Sequence, residues 1–599
     1  VTEQEERWLR ETYRKNEKQL TVRAVLSGMV IGAVMCLSNL YVVLKTGWSM
    51  GVTITACILA FAFFRVLKLA RLTNGEFGML ENNAMGSVAS AAGYMTGGGN
   101  MAAVPALLIL TGIRPDGVSM FFWFALIAAM GVFVAIPIKR QLINVEQLPF
   151  PTGIATAETI RSLHGDKGNA EKAKLLAGSG LIGGLVAWFR DAKGAFMPFN
   201  FPHAFSLPFT IAGHTLEKWT LSAEGSLILV GGGALMSFRT GWSMLLGALV
   251  TYGIIGPELL AAGIISAPSY RAIVNWTLWP GAAILVASGL LSFAFEWRAI
   301  AKSFGAIFAL LKGGKGESDA LSEIEAPQWW FLAGIALLSP FVIALMYFMF
   351  GIPIWAGIIA IPLGVLMGVV AARVTGETDV TPTKALGPLT QVAYGAMLPG
   401  NLTANIMSGN VTGGIGLHAA DLLTDLKSGY LLGARPRQQI IAQLFGVLAG
   451  AAAVVPAFNL LVPDASVIGS EQFPAPSVQV WAGVSKVMVN GLSGLSESAR
   501  IAALVGVIIG IVLTLAERYA GPRVKRFIPS ASGVGIAMVM PGYNAISFFL
   551  GALIAEVLRR KKPAFAERTV VPVSSGFIAG ESLMGILIAM LVAFGVLSK

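Results

Sequence analysis

The sequence predicts an all-α polytopic membrane protein, and three observations carry that prediction. Of its 599 residues, 55% are hydrophobic and only 13% charged, against about 25% charged in ordinary soluble domains. Mean hydropathy is +0.72. Apolar stretches near the ~20 residues a helix needs to cross a bilayer succeed one another along the chain, and 70 glycines suit the close contacts and interrupted helices of membrane bundles. A collagen-like or disordered chain is excluded, because the glycines show no period of three and the apolar fraction is too high. Cys36 and Cys57 both lie inside apolar runs, which leaves no disulfide framework and no zinc site. The net charge of +11 sits on Lys and Arg in short loops between apolar stretches, a signature of membrane orientation and not of nucleic-acid binding.

Residues 1–20 mix Glu3, Glu5, Glu6 and Glu11 with Arg7, Arg10, Arg14 and Lys15. Without an apolar stretch and cleavage site they are no signal peptide, and they read as a cytoplasmic amphipathic tail. An amino-terminal transmembrane repeat follows over 21–297, with apolar runs starting near Val22, Trp48, Ala84, Met120, Lys174, Gly225, Trp242 and Trp276, roughly eight crossings. Arg65, Lys68 and Arg71, Lys139 and Arg140, Lys172 and Lys174, Arg239, and Arg298 fall on one side if Pro149–Leu163 dips in and returns. The amino terminus is then cytoplasmic, in the cell (inner) membrane. A mixed-charge stretch at 298–327 reads as a cytoplasmic linker, and a carboxyl-terminal transmembrane repeat occupies 328–599.

The second repeat reuses the first. Trp48 matches Trp355, Thr96-Gly97-Gly98-Gly99 matches Thr412-Gly413-Gly414-Ile415, Glu146-Gln147-Leu148-Pro149-Phe150-Pro151-Thr152 matches Glu471-Gln472-Phe473-Pro474-Ala475-Pro476-Ser477, and Leu246-Gly247-Ala248-Leu249 matches Leu550-Gly551-Ala552-Leu553, all in the same order. Setting Arg65 and Lys68 level with Arg373 favours parallel halves related by an axis along the membrane normal. The cluster Arg559-Arg560-Lys561-Lys562 leaves the side of the carboxyl terminus open.

Enzyme signatures are poor. Gly178-Ser179-Gly180-Leu181-Ile182-Gly183 lies within an apolar span with no βαβ unit around it, and Gly313-Gly314-Lys315-Gly316 lacks the Walker spacing. His164, His203, His214 and His418 are dispersed, so neither catalysis nor a resident metal is expected. Interruptions at Gly93–Asn100, Pro399–Gly416 and Pro541-Gly542-Tyr543-Asn544 put Gly, Pro and Asn at membrane depth, where freed backbone must be satisfied by protein or a wet cavity, and such breaks in two repeats point to a central substrate site. Asn82, Asn83, Asn405, Asn410, Tyr543 and Asn544 are the expected substrate-binding residues, since amides and a phenol hydrogen-bond polar solutes without fixed charge. Carboxylates in or beside apolar runs are the second signal, each costing about 2.5 to 3.5 kcal/mol on insertion scales. Glu81, Glu581, Glu158, Asp421 and Asp425 are the proton-coupling candidates. Glu581, with no basic residue within a turn, and Glu81, beside two asparagines, rank first; Glu158 ranks lower for its Arg161 at i+3, and Asp421 and Asp425 lie one turn apart near Lys427.

At Leu148-Pro149-Phe150-Pro151-Thr152-Gly153-Ile154-Ala155-Thr156-Ala157 and Leu163-His164 the sequence resembles the oligopeptide transporter (OPT) family, which includes the yellow-stripe-like metal-chelate carriers. Phe77-Gly78-Met79-Leu80-Glu81-Asn82 is similar to the F-x-x-x-E-N segment of the yellow-stripe branch. Asp425-Leu426-Lys427-Ser428-Gly429-Tyr430 with Arg435-Pro436-Arg437 and Gln443, and Ser575-Gly576-Phe577-Ile578-Ala579-Gly580-Glu581-Ser582-Leu583, resemble further family segments. The peptide branch's N-P-G is replaced by Asn74-Gly75-Glu76, so the chain resembles a bacterial-type member closest in motif to the yellow-stripe-like branch. The resemblance implies about sixteen membrane segments and a proton-coupled importer of small oligopeptides, the alternative cargo being peptide-like metal chelates. A proton gradient, and no cofactor, drives it. A channel is the less favoured alternative, and a homodimer in the bilayer is compatible with the reading.

Overall fold

The computed structural model describes residues 2–598 except 48, 50, 74, 98, 166–168, 195, 196, 198, 296, 299, 300 and 302–320. Most of the expected linker, together with Trp48 and Gly98 of the repeat matches and Asn74, lies outside the described residues. Helix α1 (Glu3–Glu11) starts at a Thr2–Glu5 capping box, and α2 (Val22–Thr46) and α3 (Thr53–Leu69) follow. The expected break at Gly93–Asn100 is present: α4 (Met79–Gly93) ends in a 3-10 turn before α5 (Asn100–Thr111). Helix α6 (Gly117–Lys139) runs into a π-helical turn at Arg140–Val145, then α7 (Pro151–His164) and α8 (Asn169–Asp191). Two-residue strands, β1 (Ala204–Phe205) with β4 (Ala223–Glu224) and β2 (Thr210–Ile211) with β3 (His214–Thr215), staple the following loop. The half closes with α9 (Leu227–Leu235), α10 (Phe238–Val250), α11 (Gly256–Ala261) and α12 (Tyr270–Phe295).

The second half comprises α13 (Trp329–Phe350), α14 (Ile354–Thr378), α15 (Thr383–Met397), α16 (Leu402–Leu432), α17 (Pro436–Leu461), α18 (Pro476–Asn490), α19 (Glu497–Tyr519), α20 (Pro522–Lys525), α21 (Ala531–Ala537), α22 (Gly542–Lys561) and α23 (Pro563–Ala593). Among the described residues, nine helices are long and apolar enough to cross a membrane, so the chain is an all-α polytopic membrane protein. The expected sixteen segments exceed that number because several elements are interrupted, as α4–α5 and α21–α22 are, or carry polar residues, as α16 does.

The Pro399–Gly416 expectation is corrected in extent. Only 398–401 is non-helical; α16 then runs unbroken for 31 residues from an Asn401 cap. Its glycines serve packing instead: a Cβ on Gly414 would overlap Ile127 of α6, and one on Gly416 would lie 2.8 Å from Leu386 of α15. Thr412-Gly413 is therefore helix interior, whereas its supposed match Thr96-Gly97 ends a helix.

Two of the repeat matches hold structurally. Phe150 and Ala475 both take left-handed backbone, φ 41° and 46°, before a proline that opens α7 or α18. Each donates its N–H to the end of a long helix in the other half, Phe150 to Gly376 O at 3.0 Å and Ala475 to Leu44 O at 2.8 Å. Thr152 repeats the exchange on the Asp379 carboxylate, and Ser477 on the Gly47 carbonyl, these being the C-caps of α14 and α2. Gly247 of α10 packs on Ala537 of α21, as Gly551 of α22 packs on Val230 of α9. On these contacts α2 occupies the place of α14, with α13 standing as an extra helix before it.

An odd helix between copies inverts the second one. Helix α4 starts beside the start of α2, where Glu81 accepts from Thr21 and Arg23, and α5 ends near Arg114, which reaches Asn459 and Val462 at the far end of α17. Helix α16 runs the other way, its last turn lying on the tail, with Trp8 Nε1 donating to Tyr430 O at 2.7 Å and Arg14 N to Gly433 O at 3.0 Å. Likewise α6 ends beside the tail through Arg140 and Glu5, whereas α17 begins there through Arg435 and Tyr13. Helices α4 and α16, and likewise α6 and α17, therefore run in opposite directions. The expected parallel relation set α3, which carries Arg65 and Lys68, against α14, which carries Arg373, although the counterpart of α14 is α2.

The tail is held by charge. Glu5 is fully buried; burial alone would raise its carboxyl, but Arg140, which donates at 2.8 and 2.9 Å, the Thr2 N–H and Asn144 hold it at about 2. A carboxyl lowered in the folded state contributes stability above its ordinary value of 4.5 and loses it as pH falls toward about 2. Acidification across that window is expected to release α1, read as increased accessibility of Trp8 to a fluorescence quencher, while Glu5→Gln exposes Trp8 already at neutral pH. A Trp8 signal that is flat across the window in the wild type contradicts this anchoring.

Candidate functional site

Helix α4 is built to be gripped. Its Ala- and Ser-rich sequence lies between α2 and α17, each presenting two glycines four residues apart. A Cβ on Gly28 would fall 2.6 Å from Val88 Cβ, one on Gly32 2.7 Å from Ala92 Cβ, and one on Gly450 2.7 Å from Ala92 Cα. Small residues at i and i+4 let helix backbones approach closely in membranes. That approach brings the short polar side chains of α4 against α16 and α17.

At this crossing Asp421 and Asp425, 8% and 2% exposed, sit one turn apart on α16. Ser90 Oγ donates to Asp421 Oδ1 at 2.6 Å. Gln443 Nε2 donates to both acids, to Asp421 Oδ2 at 3.1 Å and Asp425 Oδ2 at 2.8 Å. A second layer consists of Gln439 Nε2 donating to Ser87 Oγ and Asp425 O, and Asn83 Nδ2 donating to Ser428 Oγ at 2.9 Å. Among the described residues no Lys or Arg bonds to either carboxylate; Lys427 instead lies over the Tyr430 ring. The buried oxygens Asn83 Oδ1, Gln439 Oε1 and Gln443 Oε1 have no partner.

The other candidate acids have different surroundings. Glu81, at the third position of α4, accepts from Arg23 at 2.8 and 2.5 Å, from Thr21 at 2.7 Å and from Gly78 N at 2.9 Å. Glu581, unpartnered in sequence, receives Arg190 Nη1 at 2.9 Å, Ser226 Oγ at 2.8 Å and Ile228 N at 3.0 Å, with side chains 2% and 0% exposed. Glu158 is exposed on α7, and Arg161 donates to Leu431 O and not to it. The ranking that put Glu581 and Glu81 first is therefore revised, because both are bound by guanidinium groups from other helices.

The six amide and phenol candidates do not converge on one place. Asn410 accepts from Trp123 Nε1 at 2.7 Å and donates to Asn100 at 2.8 Å, and Asn405 accepts from Gln391 and Ser485 and donates to Gln391 O, so both tie helices together. Asn82 donates to Cys57 O and faces His164 Nε2 at 3.2 Å, and Asn83 joins the carboxylate pair. Tyr543 and Asn544 open α22, apart from the others. Neither amide atom of the fully buried Asn544 has a partner. Sequence reading missed Arg23 and Arg190, which have no local signal, and Ser87, Ser90 and Gln439; the spacing of Ser87 to Ser90 and of Gln439 to Gln443, one turn each, was the available clue. Among the described residues no group of three or more His, Cys, Asp or Glu side chains could hold a metal ion.

Comparison with known proteins gives one family. The family described as OPT oligopeptide transporter protein matches residues 19–592. A Saccharomyces cerevisiae protein provisionally named an oligopeptide transporter, YGL114W, is 24% identical over 95% of each chain. Metal-nicotianamine transporter YSL2 of Arabidopsis thaliana is 24% identical over 94% of this chain and 92% of its own. Iron-phytosiderophore transporter yellow stripe 1 of Zea mays is 24% identical over 94% of this chain and 89% of its own. The chain belongs to the OPT oligopeptide transporter family.

The paired acids are expected to be structural. Removing one partner of a buried ion pair costs about 3–5 kcal/mol, whereas an apolar replacement of both is often tolerated. Arg190 also pairs with Asp191, so Arg190→Met should lower the unfolding temperature of the purified protein sharply, and Arg190→Met/Asp191→Asn/Glu581→Met should recover most of the loss. A single variant as stable as the wild type contradicts the assignment.

Proposed function

We propose that this OPT-family chain is a proton-coupled secondary transporter that takes up amino-acid-derived metal chelates by alternating access, with small peptides as the second cargo class. The observation that carries the coupling is the Asp421–Asp425 pair. Two buried carboxylates held by one amide and one hydroxyl, with no cation bonded to them among the described residues, do not both keep their charge, so the pair carries one proton. Ser90 and Gln443 aim their donors at the carboxylates and fix the geometry in which that proton is exchanged. A chelate cargo is supported by the Arabidopsis and maize relatives, whose names specify metal-nicotianamine and iron-phytosiderophore. The yeast relative keeps peptides as the second reading.

The antiparallel copies supply the alternation. Inverted repeats can exchange conformations, so that a site between them opens to one side and then the other. The mutual docking of α7 on α14 and of α18 on α2 couples the two copies mechanically. Basic residues support the orientation: Arg23, Lys68, Arg161, Arg435 and Arg437 gather on the face of the amino-terminal tail, and Arg568 beside Glu171 brings Arg559 and Arg560 to that face, which is cytoplasmic by the positive-inside rule.

Asp421→Asn and Asp425→Asn mimic the protonated acids. Each should abolish gradient-driven accumulation in proteoliposomes while counterflow at equal pH persists, with nickel–nicotianamine and Ala-Ala as test cargoes. Stabilisation against heat by the chelate and not the peptide selects the chelate reading. Accumulation with unchanged pH dependence in both Asn variants contradicts the coupling assignment.

A further inference from the structure

We propose that the start of α22 forms, with the end of α2 and the β4 loop, a recognition site for a ligand's carboxylate and ammonium groups. The break in front of α22 is sealed with care. Thr277 Oγ1 donates to Met538 O at 2.8 Å, Tyr270 Oη to Val539 O at 2.8 Å and Tyr252 Oη to Met540 O at 2.6 Å, while Gly542 N donates to Thr220 Oγ1 at 2.8 Å. No backbone group named here is left for a solute.

The side chains beside it are not so satisfied. Lys45, in the last turn of α2 and 4% exposed, donates to Glu224 Oε1 at 2.8 Å, while the other carboxylate oxygen of Glu224, which has no exposed surface, has no partner among the described residues. Glu224 is fixed by main-chain bonds to Ser547, its N–H donating to Oγ and its C=O accepting from Oγ, both at 3.2 Å. One helical turn before Ser547 stands Asn544, fully buried with amide oxygen and nitrogen both unpaired. The Ser222 hydroxyl, two residues before Glu224, is buried and unpaired as well. A buried polar group left unpaired is costly, because it has lost its water without gaining a partner. Four such atoms around one ion pair, next to a break whose carbonyls are all capped, point to a ligand that completes them.

The chemistry of the pair selects the ligand. A solute bearing only an anion or only a cation would leave a net charge in a dry site, whereas one with both lets its carboxylate take the free protons of Lys45 and its amine the free oxygen of Glu224. Asn544, donor and acceptor at once, bridges the two ends. The class is therefore an α-amino-acid-like zwitterion, the terminal groups of a small peptide or of a chelator end not spent on the metal. This site rests on the proposed transport of such solutes and specifies how their charged ends are held.

The test pairs ligand blocking with mutation. Binding of Ala-Ala, N-acetyl-Ala-Ala and Ala-Ala-amide, and of metal-free nicotianamine and its methyl ester, is measured by calorimetry on the purified full chain. The unblocked forms should bind wild type roughly tenfold to hundredfold more tightly than the blocked ones. Glu224→Gln should be indifferent to N-acetylation and Asn544→Ala should weaken every unblocked form. Lys45→Met/Glu224→Met, which removes the charges together and avoids a stranded partner, keeps the fold testable and should lose the preference for unblocked ligands. Equal binding of blocked and unblocked forms by wild type, undiminished preference in the double variant, or no binding of any probe overturns the site. Failure of proton coupling with this binding pattern intact would overturn the transport reading alone.

Discussion

Where water is excluded, charge must be matched, and that constraint organises this molecule. Glu5 is held by Arg140, Glu81 by Arg23, Glu146 by Arg373, Glu224 by Lys45 and Glu581 by Arg190. In each case the partner comes from a different element, so that neutralising a charge also joins two elements. These pairs are weak evidence of stability, since desolvation offsets much of their attraction, but breaking Glu224–Lys45 or Glu581–Arg190, where neither side chain is substantially exposed, would leave a stranded ion. They specify which helices meet. Against that background the Asp421–Asp425 pair stands out as a place where polar amides and hydroxyls replace a cation, and where a proton can supply the missing positive charge.

The second constraint is distance. Serine side chains are short-armed, so α4 must lie almost backbone to backbone with its neighbours for Ser90 to donate to Asp421 and Ser87 to accept from Gln439. The glycines of α2 and α17 make that approach possible, and the continuous α16 carries the acids to it. Bulk in the seam and length in the polar side chains would be interchangeable in a loose bundle. Here the geometry ties them together, so the packing of α4 and the electrostatics of the acids are one feature.

Part of this was legible in sequence. Apolar run length and charge scarcity specify a polytopic helical protein, and the Pro-flanked segments before α7 and α18 specify a duplication, because a left-handed residue before a helix-opening proline needs the same local sequence twice. The acids at depth were visible as anomalies. Their partners were not: Arg23 lies 58 residues from Glu81, and Arg190 lies 391 from Glu581, separations that leave no local pattern. Gly413 and Gly414 look the same in sequence whether they break a helix or admit Ile127. The orientation of the copies turned on α13, an apolar helix like any other, which sequence alone assigned to the second repeat.

The sharing of one proton by Asp421 and Asp425 is the step on which the proposed coupling rests. Infrared difference spectroscopy on the purified protein, recorded as pH is raised with and without bound cargo, reads the carbonyl stretch of a protonated carboxylic acid directly. The account predicts one such band that is lost in Asp421→Asn/Asp425→Asn and retained in Glu81→Gln and Glu581→Gln. A band that survives in the double Asn variant, or that disappears with Glu581→Gln, would contradict it.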